Sequence, residues 1–255
     1  MIHGALGSRY AIGGALGRSV KRDAAGFLPT DISGLIHWYD FSDASTMFTD
    51  DGTTQVANDA DAIYRINNKV SGKTDHLKQT TLSRRPLYKT NILNGLSAGL
   101  GNRAATKQLN ATSSTTLTQY RTRFIVALCS DNLSSGQVSG MFGQDRIGFE
   151  GAVRRYMMYQ GKLLYSSNYK WVLGQFVIVT SIMNLTASQI YANGILVGEG
   201  DIGNGYNQGV SLFSTSNDNY LTGYTCEALQ YEGVLSEANR LLVDSYLNTK
   251  WAVYS

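Results

Sequence analysis

The chain has 255 residues, of which 16% are charged and 43% hydrophobic, and it contains 27 glycines but only two prolines. A formal charge of +3 is too small to indicate nucleic acid as the main partner. No apolar run reaches the roughly 18 residues that cross a bilayer, and no continuous apolar segment follows the basic N-terminus, so we expect neither a membrane span nor a secretory signal. The length is ordinary for one all-β sandwich.

Residues 1–30 differ from the rest of the chain. The motif Gly-Ala-Leu-Gly occurs at residues 4–7 and again at 14–17, and four cations precede the first acid, Asp23. Glycine raises the entropic cost of ordering a backbone, so this segment is predicted to need a partner to become ordered. We interpret it as an assembly arm whose apolar and basic side chains contact another subunit: Leu6, Arg9, Ile12, Leu16, Arg18, Lys21 and Arg22. The alternative is an arm that folds along its own domain.

Residues 31–255 are predicted to form one β domain. Arg121–Asp131 is a largely apolar segment typical of a buried strand, and further short apolar segments follow with glycine or polar breaks. Asn193-Gly194 lies between alternating apolar residues and predicts a hairpin with a type I′ turn.

The C-terminal stretch predicts a strand and then a helix. Alternation over 225–231 places Cys226, Ala228 and Gln230 on one face and Thr225, Glu227, Leu229 and Tyr231 on the other. Ser236 is a candidate N-cap. The helix after it carries Val243, Leu247 and Trp251 on one stripe, which we expect to pack on the sheet.

Both ends of 34–251 resemble a known family. The matching residues of the first strand and of the segment after it are Leu35, Trp38, Tyr39, Asp40, Ser42, Asp43, Ser71, Gly72, His76 and Leu77. Those of the C-terminal end are Gly223, Glu227, Tyr231, Leu235, Ser236, Glu237, Ala238, Arg240, Tyr246, Leu247, Lys250 and Trp251. The pattern resembles concanavalin A-like (laminin G-like) jelly rolls. It implies an antiparallel β-sandwich of jelly-roll type with one C-terminal helix.

The titratable residues show no familiar catalytic or metal-binding spacing. The three histidines, at 3, 37 and 76, are scattered, and His37 is more typical of a packed strand residue than of a ligand. Glu227 and Glu232 are the nearest pair of acids for glycoside hydrolysis, but an odd separation along a strand sends them to opposite faces. We therefore expect a non-enzymatic protein without cofactor or metal. Cys129 and Cys226 are expected to be reduced core residues, although the sequence leaves their pairing open.

Two polar loops contain residue types that bind sugars. Tyrosine stacks on sugar faces, and asparagine and aspartate bond to vicinal hydroxyls. The candidates are Tyr206, Asn207, Asp218, Asn219 and Tyr220. The alternative is that they are turn residues.

The resemblance and the arm together suggest a structural or adhesive virion protein of a tailed phage. It would be a capsid decoration protein or a tail or fibre component, assembled in the host cytoplasm and docked on other virion subunits through the arm, and we expect a homo-oligomer. The alternative function is a carbohydrate-binding module that recognises host surface glycans.

Overall fold

The computed structural model describes residues 26–111, 118–134, 137–143, 147–151, 153–205, 209–215 and 219–255. These residues form two antiparallel sheets that face each other, with one C-terminal α-helix. The predicted all-β sandwich with a terminal helix is confirmed. Among the described residues, no helix is long and apolar enough to cross a membrane.

Sheet I contains eight strands, in the order β15-β14-β13-β8-β17-β6-β5, and β1 also pairs with β17. Their bounds are β1 Leu35–Asp40, β5 Leu87–Leu93, β6 Leu96–Gly101, β8 Arg121–Cys129, β13 Phe176–Met183, β14 Ser188–Ala192, β15 Ile195–Gly200 and β17 Gly223–Glu232. Every residue of β8 is buried, because sheet II covers one face of this strand and the helix region covers the other.

Sheet II contains nine strands, in the order β12-β11-β10-β9-β16-β7-β4-β3-β2. Their bounds are β2 Met47–Phe48, β3 Arg65–Ile66, β4 Leu77–Lys78, β7 Leu109–Ala111, β9 Val138–Phe142, β10 Ile147–Glu150, β11 Arg155–Tyr159, β12 Leu163–Lys170 and β16 Val210–Leu212. Short 3-10 helices occupy Pro29–Asp31, Ala44–Thr46, Leu82–Arg84 and Leu185–Ala187. The main core fills the space between the two sheets.

The helix α1, Glu237–Trp251, packs on the outer face of sheet I as predicted. The Ser236 side chain accepts a hydrogen bond from the Asn239 amide and so caps the first turn. Val243, Leu247 and Trp251 are fully buried in a second core with residues of β1, β8 and β17. The helix therefore covers the face of sheet I that sheet II leaves open.

The predicted alternation of the last strand is wrong at Cys226 and at Thr225, which pairs with Ala127 of the core between the sheets. A β-bulge lies between Thr225 and Glu227, where the pairing of β17 with β8 shifts by one residue. Because a bulge puts one extra residue into the strand, Cys226 packs on the helix side, whereas Ala228 belongs to the core between the sheets. Cys129 lies in that inner core too, so the two cysteines are on opposite faces of sheet I and both are free.

The predicted hairpin at Asn193-Gly194 is present. Ala192 pairs with Ile195, and both turn residues have positive φ, as a type I′ turn requires. Ala192, the last residue before the turn, pairs with Val179 of the neighbouring strand β13.

The sandwich has two ends, and the loops divide between them. We call one of them the Gly233 end: there the last residue of β17 pairs with the first residue of β8, and the Gly233 amide donates a hydrogen bond to the Tyr120 carbonyl. At the Tyr220 end, β17 begins beside the last residue of β8, because Gly223 pairs with Cys129. Segments that are distant in sequence, around residues 84, 103 and 131, meet at the Tyr220 end.

Candidate functional site

The residues that carry the family resemblance converge on one buried carboxylate. Glu227 is fully buried, and its Oε1 accepts hydrogen bonds from Trp38 Nε1 at 2.7 Å and from the Tyr246 hydroxyl at 3.0 Å. Its Oε2 accepts from Lys250 Nζ at 2.7 Å and from Trp251 Nε1 at 2.8 Å. Glu227 thus joins the first strand, the last strand and the helix, and it holds α1 against sheet I.

Asp40 shares the lysine with Glu227. Lys250 Nζ lies 2.8 Å from Asp40 Oδ2, and Lys69 Nζ lies 3.0 Å from the same oxygen. Burial acts to raise the pKa of Asp40, but the two lysines outweigh it and hold this pKa below its usual range. Burial and the neighbouring Asp40 raise the pKa of Glu227, against the opposing effect of Lys250. The carboxylates of Asp40 and Glu227 are packed against Trp38, Tyr246 and Trp251. The cluster therefore stabilises the packing of α1 on sheet I.

A second polar cluster lies between the sheets. His37 is fully buried, and its Nε2 lies 3.5 Å from a carboxylate oxygen of Asp75, which is also buried. Burial lowers the pKa of His37, although Asp75 acts in the opposite direction. Across the sheet, His37 pairs with Gln230, and Gln230 accepts a hydrogen bond from Arg123 Nε at 2.7 Å. In the described part of the chain, no group of three or more histidine, cysteine or acidic side chains is arranged to hold a metal ion.

The structure describes two of the five candidate sugar-binding residues. Tyr206, Asn207 and Asp218 lie outside the described residues, whereas Asn219 and Tyr220 are half-buried. The two loops belong to opposite ends of the sandwich. The first follows β15 at the Gly233 end, and the second precedes β17 at the Tyr220 end.

Residues 1–25 of the candidate assembly arm, which was predicted as residues 1–30, are also outside the described residues. This applies to each of its predicted contact residues: Leu6, Arg9, Ile12, Leu16, Arg18, Lys21 and Arg22. The described chain begins at Gly26, and the next residues already contact the domain. The ring of Phe27 meets Tyr246 edge-on at 6.2 Å, and the Pro29 carbonyl accepts a hydrogen bond from the Tyr231 hydroxyl at 2.9 Å.

Polar side chains from three loops meet at Tyr220. The Tyr220 hydroxyl lies 3.4 Å from Arg84 Nη2, and the Nε of the same guanidinium donates to Thr106 Oγ1 at 2.9 Å. All three side chains are half-buried. We call the set formed by Arg84, Thr106, Lys107, Asn219 and Tyr220 the Tyr220 corner.

The backbone under the Tyr220 corner is fixed by hydrogen bonds. The carbonyl of Asn219 accepts from the Gly140 amide at 2.6 Å, and the carbonyl of Tyr220 accepts from Ser139 Oγ at 3.3 Å. On the other side, the Gln108 amide donates to the Arg84 carbonyl at 3.0 Å. The loops are therefore tied to β9 and to each other, and the exposed polar atoms keep defined positions.

Sequence reasoning missed the basic members of this corner. Lys107 lies in a loop that the sequence marks only as polar, and Arg84 ends the 3-10 helix Leu82–Arg84. No spacing rule relates residue 84 to residue 220. Lys107 Nζ donates to the Arg85 carbonyl. Burial lowers the pKa of Lys107.

Comparison with known proteins supports the fold. No protein-family model and no curated protein sequence matches the chain. Among solved structures, a GH54 α-L-arabinofuranosidase has a TM-score of 0.55 at 13% identity, over 83% of this chain and 62% of that one. Domain 4 of AbnA, a GH43 extracellular arabinanase from Geobacillus stearothermophilus, has a TM-score of 0.45 at 15% identity, over 83% of this chain and 98% of that domain.

Trypanosoma rangeli sialidase has a TM-score of 0.47 at 14% identity, over 88% of this chain and 34% of that one. This chain therefore spans about a third of the sialidase and less than two thirds of the arabinofuranosidase. The similar structures share a β-sandwich of jelly-roll type. At these identities the likeness concerns the fold alone.

The comparisons correct the expectation of a non-enzymatic protein. That expectation rested on the absence of a familiar acid pair in the sequence, yet the structures similar to this chain include an arabinofuranosidase. The expectation is wrong because a catalytic pair consists of side chains that are close together in the fold. Such residues need not form a recognisable motif in the sequence.

Proposed function

We propose that this chain is a carbohydrate-binding domain and that it binds saccharides at the Tyr220 corner. The observation that carries the proposal is the set of polar side chains from three loops around Tyr220, with Arg84 bridging the Tyr220 and Thr106 hydroxyls. The jelly-roll fold, which it shares with the arabinofuranosidase, is compatible with this function.

The chemistry of the corner suits a sugar. A saccharide presents adjacent hydroxyls, each a donor and an acceptor, and the corner contains hydroxyl, amide and guanidinium groups, among which the Asn219 amide also donates to Thr215 Oγ1 at 3.2 Å. The ring of Tyr220 adds an apolar surface of the size of a sugar ring. Because the backbone of Asn219 and Tyr220 is hydrogen-bonded to β9, and that of Arg84 to Gln108, little backbone entropy of these residues is lost on binding, which favours affinity from a small contact area.

The proposal is tested by electrophoresis of the full chain through gels that contain soluble polysaccharides. Neutral arabinan, galactan, xylan and dextran are used beside polygalacturonate. We expect at least one polysaccharide to retard the chain and the Tyr220→Ala substitution to remove the retardation.

The matched control is Tyr120→Ala, because Tyr120 is 38% exposed and lies at the Gly233 end. Equal loss in both variants, or no retardation by any polysaccharide, contradicts the proposal. Release of reducing sugar is measured in the same mixtures, since similar structures include glycoside hydrolases.

A further inference from the structure

The guanidinium of Arg84 is held along one of its edges only. Its Nε donates to Thr106 Oγ1 at 2.9 Å and its Nη2 lies 3.4 Å from the Tyr220 hydroxyl, so both hydroxyls take the edge formed by Nε and Nη2. The other edge, formed by Nη1 and the second hydrogen of Nη2, has no partner among the described residues. That free edge can bind a carboxylate through two parallel hydrogen bonds.

The corner also contains two cations without a carboxylate partner. Nine of the 17 lysines and arginines of the described residues lie within 4.0 Å of a carboxylate, as Arg103 does with Asp131 at 2.9 Å. Among the residues that the structure describes, Arg84 and Lys107 have no such partner. The backbone hydrogen bond from Gln108 to Arg84 brings the segment that carries Lys107 beside Arg84, and Lys107 Nζ donates to the Arg85 carbonyl.

We propose that the Tyr220 corner selects saccharides that bear a carboxylate, with the end edge of Arg84 as the receptor for that group and Lys107 as a second positive charge. This inference rests on the proposed function and names its ligand class. The ligand is a uronic acid residue in an oligosaccharide or polysaccharide. The Thr106 and Tyr220 hydroxyls orient the guanidinium before the ligand arrives.

The preference for acidic saccharides follows from the positive charges of Arg84 and Lys107, which have no carboxylate partner among the described residues. A half-buried cation without a counter-charge keeps part of its desolvation cost, and an anion that binds there offsets it. The lowered pKa of Lys107, which follows from burial, fits this condition. Because Arg84 is half-exposed, the attraction is screened by salt, so the preference for acidic saccharides decreases as ionic strength rises.

The test uses one saccharide with and without its charge. Titration calorimetry compares tetragalacturonate with its fully methyl-esterified form, which keeps the ring and its hydroxyls. We expect the full chain to bind the free acid roughly tenfold more tightly than the ester, as one charge-assisted bidentate contact implies. Arg84→Gln should remove this difference. Arg84→Lys, which keeps the charge but loses the planar fork, should retain only part of it.

Lys170→Gln is the matched control, because Lys170 is exposed and lies on β12, three strands along sheet II from β9, which holds the backbone of Asn219 and Tyr220. It makes the same change of charge and should leave the preference unchanged. Thermal unfolding of each variant shows that the fold is retained. Equal affinity for acid and ester, an unchanged preference in Arg84→Gln, or an equal loss in Lys170→Gln overturns the inference. Binding of neutral polysaccharides alone also overturns it while leaving the proposed function intact, whereas the absence of all binding overturns both.

Discussion

Replacement of Glu227 by glutamine tests whether one buried carboxylate fastens the helix to the sheet. The substitution keeps the shape of the side chain but removes its charge and turns one accepting oxygen into a donating NH2 group. Each oxygen of Glu227 accepts two hydrogen bonds, from Trp38 and Tyr246 on one side and from Lys250 and Trp251 on the other. Whichever way the amide turns, one buried indole N–H loses its acceptor.

The expected cost follows from these contacts. A buried donor left without an acceptor costs about 1–3 kcal/mol, and loss of one member of a buried ion pair costs about 3–5 kcal/mol. Here Lys250 keeps Asp40 at 2.8 Å, so the lysine is not left without a counter-charge. We therefore expect the lower end, a loss of about 3 kcal/mol in the free energy of unfolding.

Urea unfolding, followed by tryptophan fluorescence, measures the loss. With an m value of about 3 kcal/mol/M, the midpoint should fall by about 1 M with the slope unchanged. The control is Glu199→Gln on the exposed edge strand β15, which should stay within about 0.5 kcal/mol of the wild type. A loss below about 1 kcal/mol for Glu227→Gln would refute the proposed role of Glu227 in stabilising the packing of α1 on sheet I.

Two further predictions concern acid stability and the N-terminal segment. Burial lowers the pKa of His37, so the unfolded chain takes up the proton first. The contribution of His37 to the free energy of unfolding is complete above about pH 6.5 and is lost as the pH falls toward the lowered pKa. His37→Gln should therefore make the free energy of unfolding depend less steeply on pH in this range, and an unchanged dependence would contradict the prediction. Deletion of 1–30 should cost about 1–2 kcal/mol more than deletion of 1–25, because it removes the Pro29–Tyr231 hydrogen bond and the Phe27–Tyr246 contact. Equal thermal stability of the two truncated chains would contradict this prediction.

Local patterns in the sequence determined the secondary structure of several segments. The stripe of Val243, Leu247 and Trp251 identified the buried face of the helix, because a helix repeats every 3.6 residues whatever lies opposite. Asn193-Gly194 identified a hairpin, because only such residues adopt two successive positive φ values cheaply. The two-sheet architecture came from the number of strands and from the family resemblance.

Only the tertiary structure decided which side chains meet. The bulge at Thr225–Glu227 reversed the face of Cys226, and a bulge depends on pairing with a neighbouring strand that the strand's own sequence does not encode. Glu227 finds partners 189 residues earlier and 24 residues later, and Arg84 finds the Tyr220 hydroxyl 136 residues away. Side-chain direction follows from the local backbone, but such contacts follow from strand order and loop packing. The sequence therefore placed Tyr220 in a polar loop, and the fold placed Arg84 and Thr106 beside it.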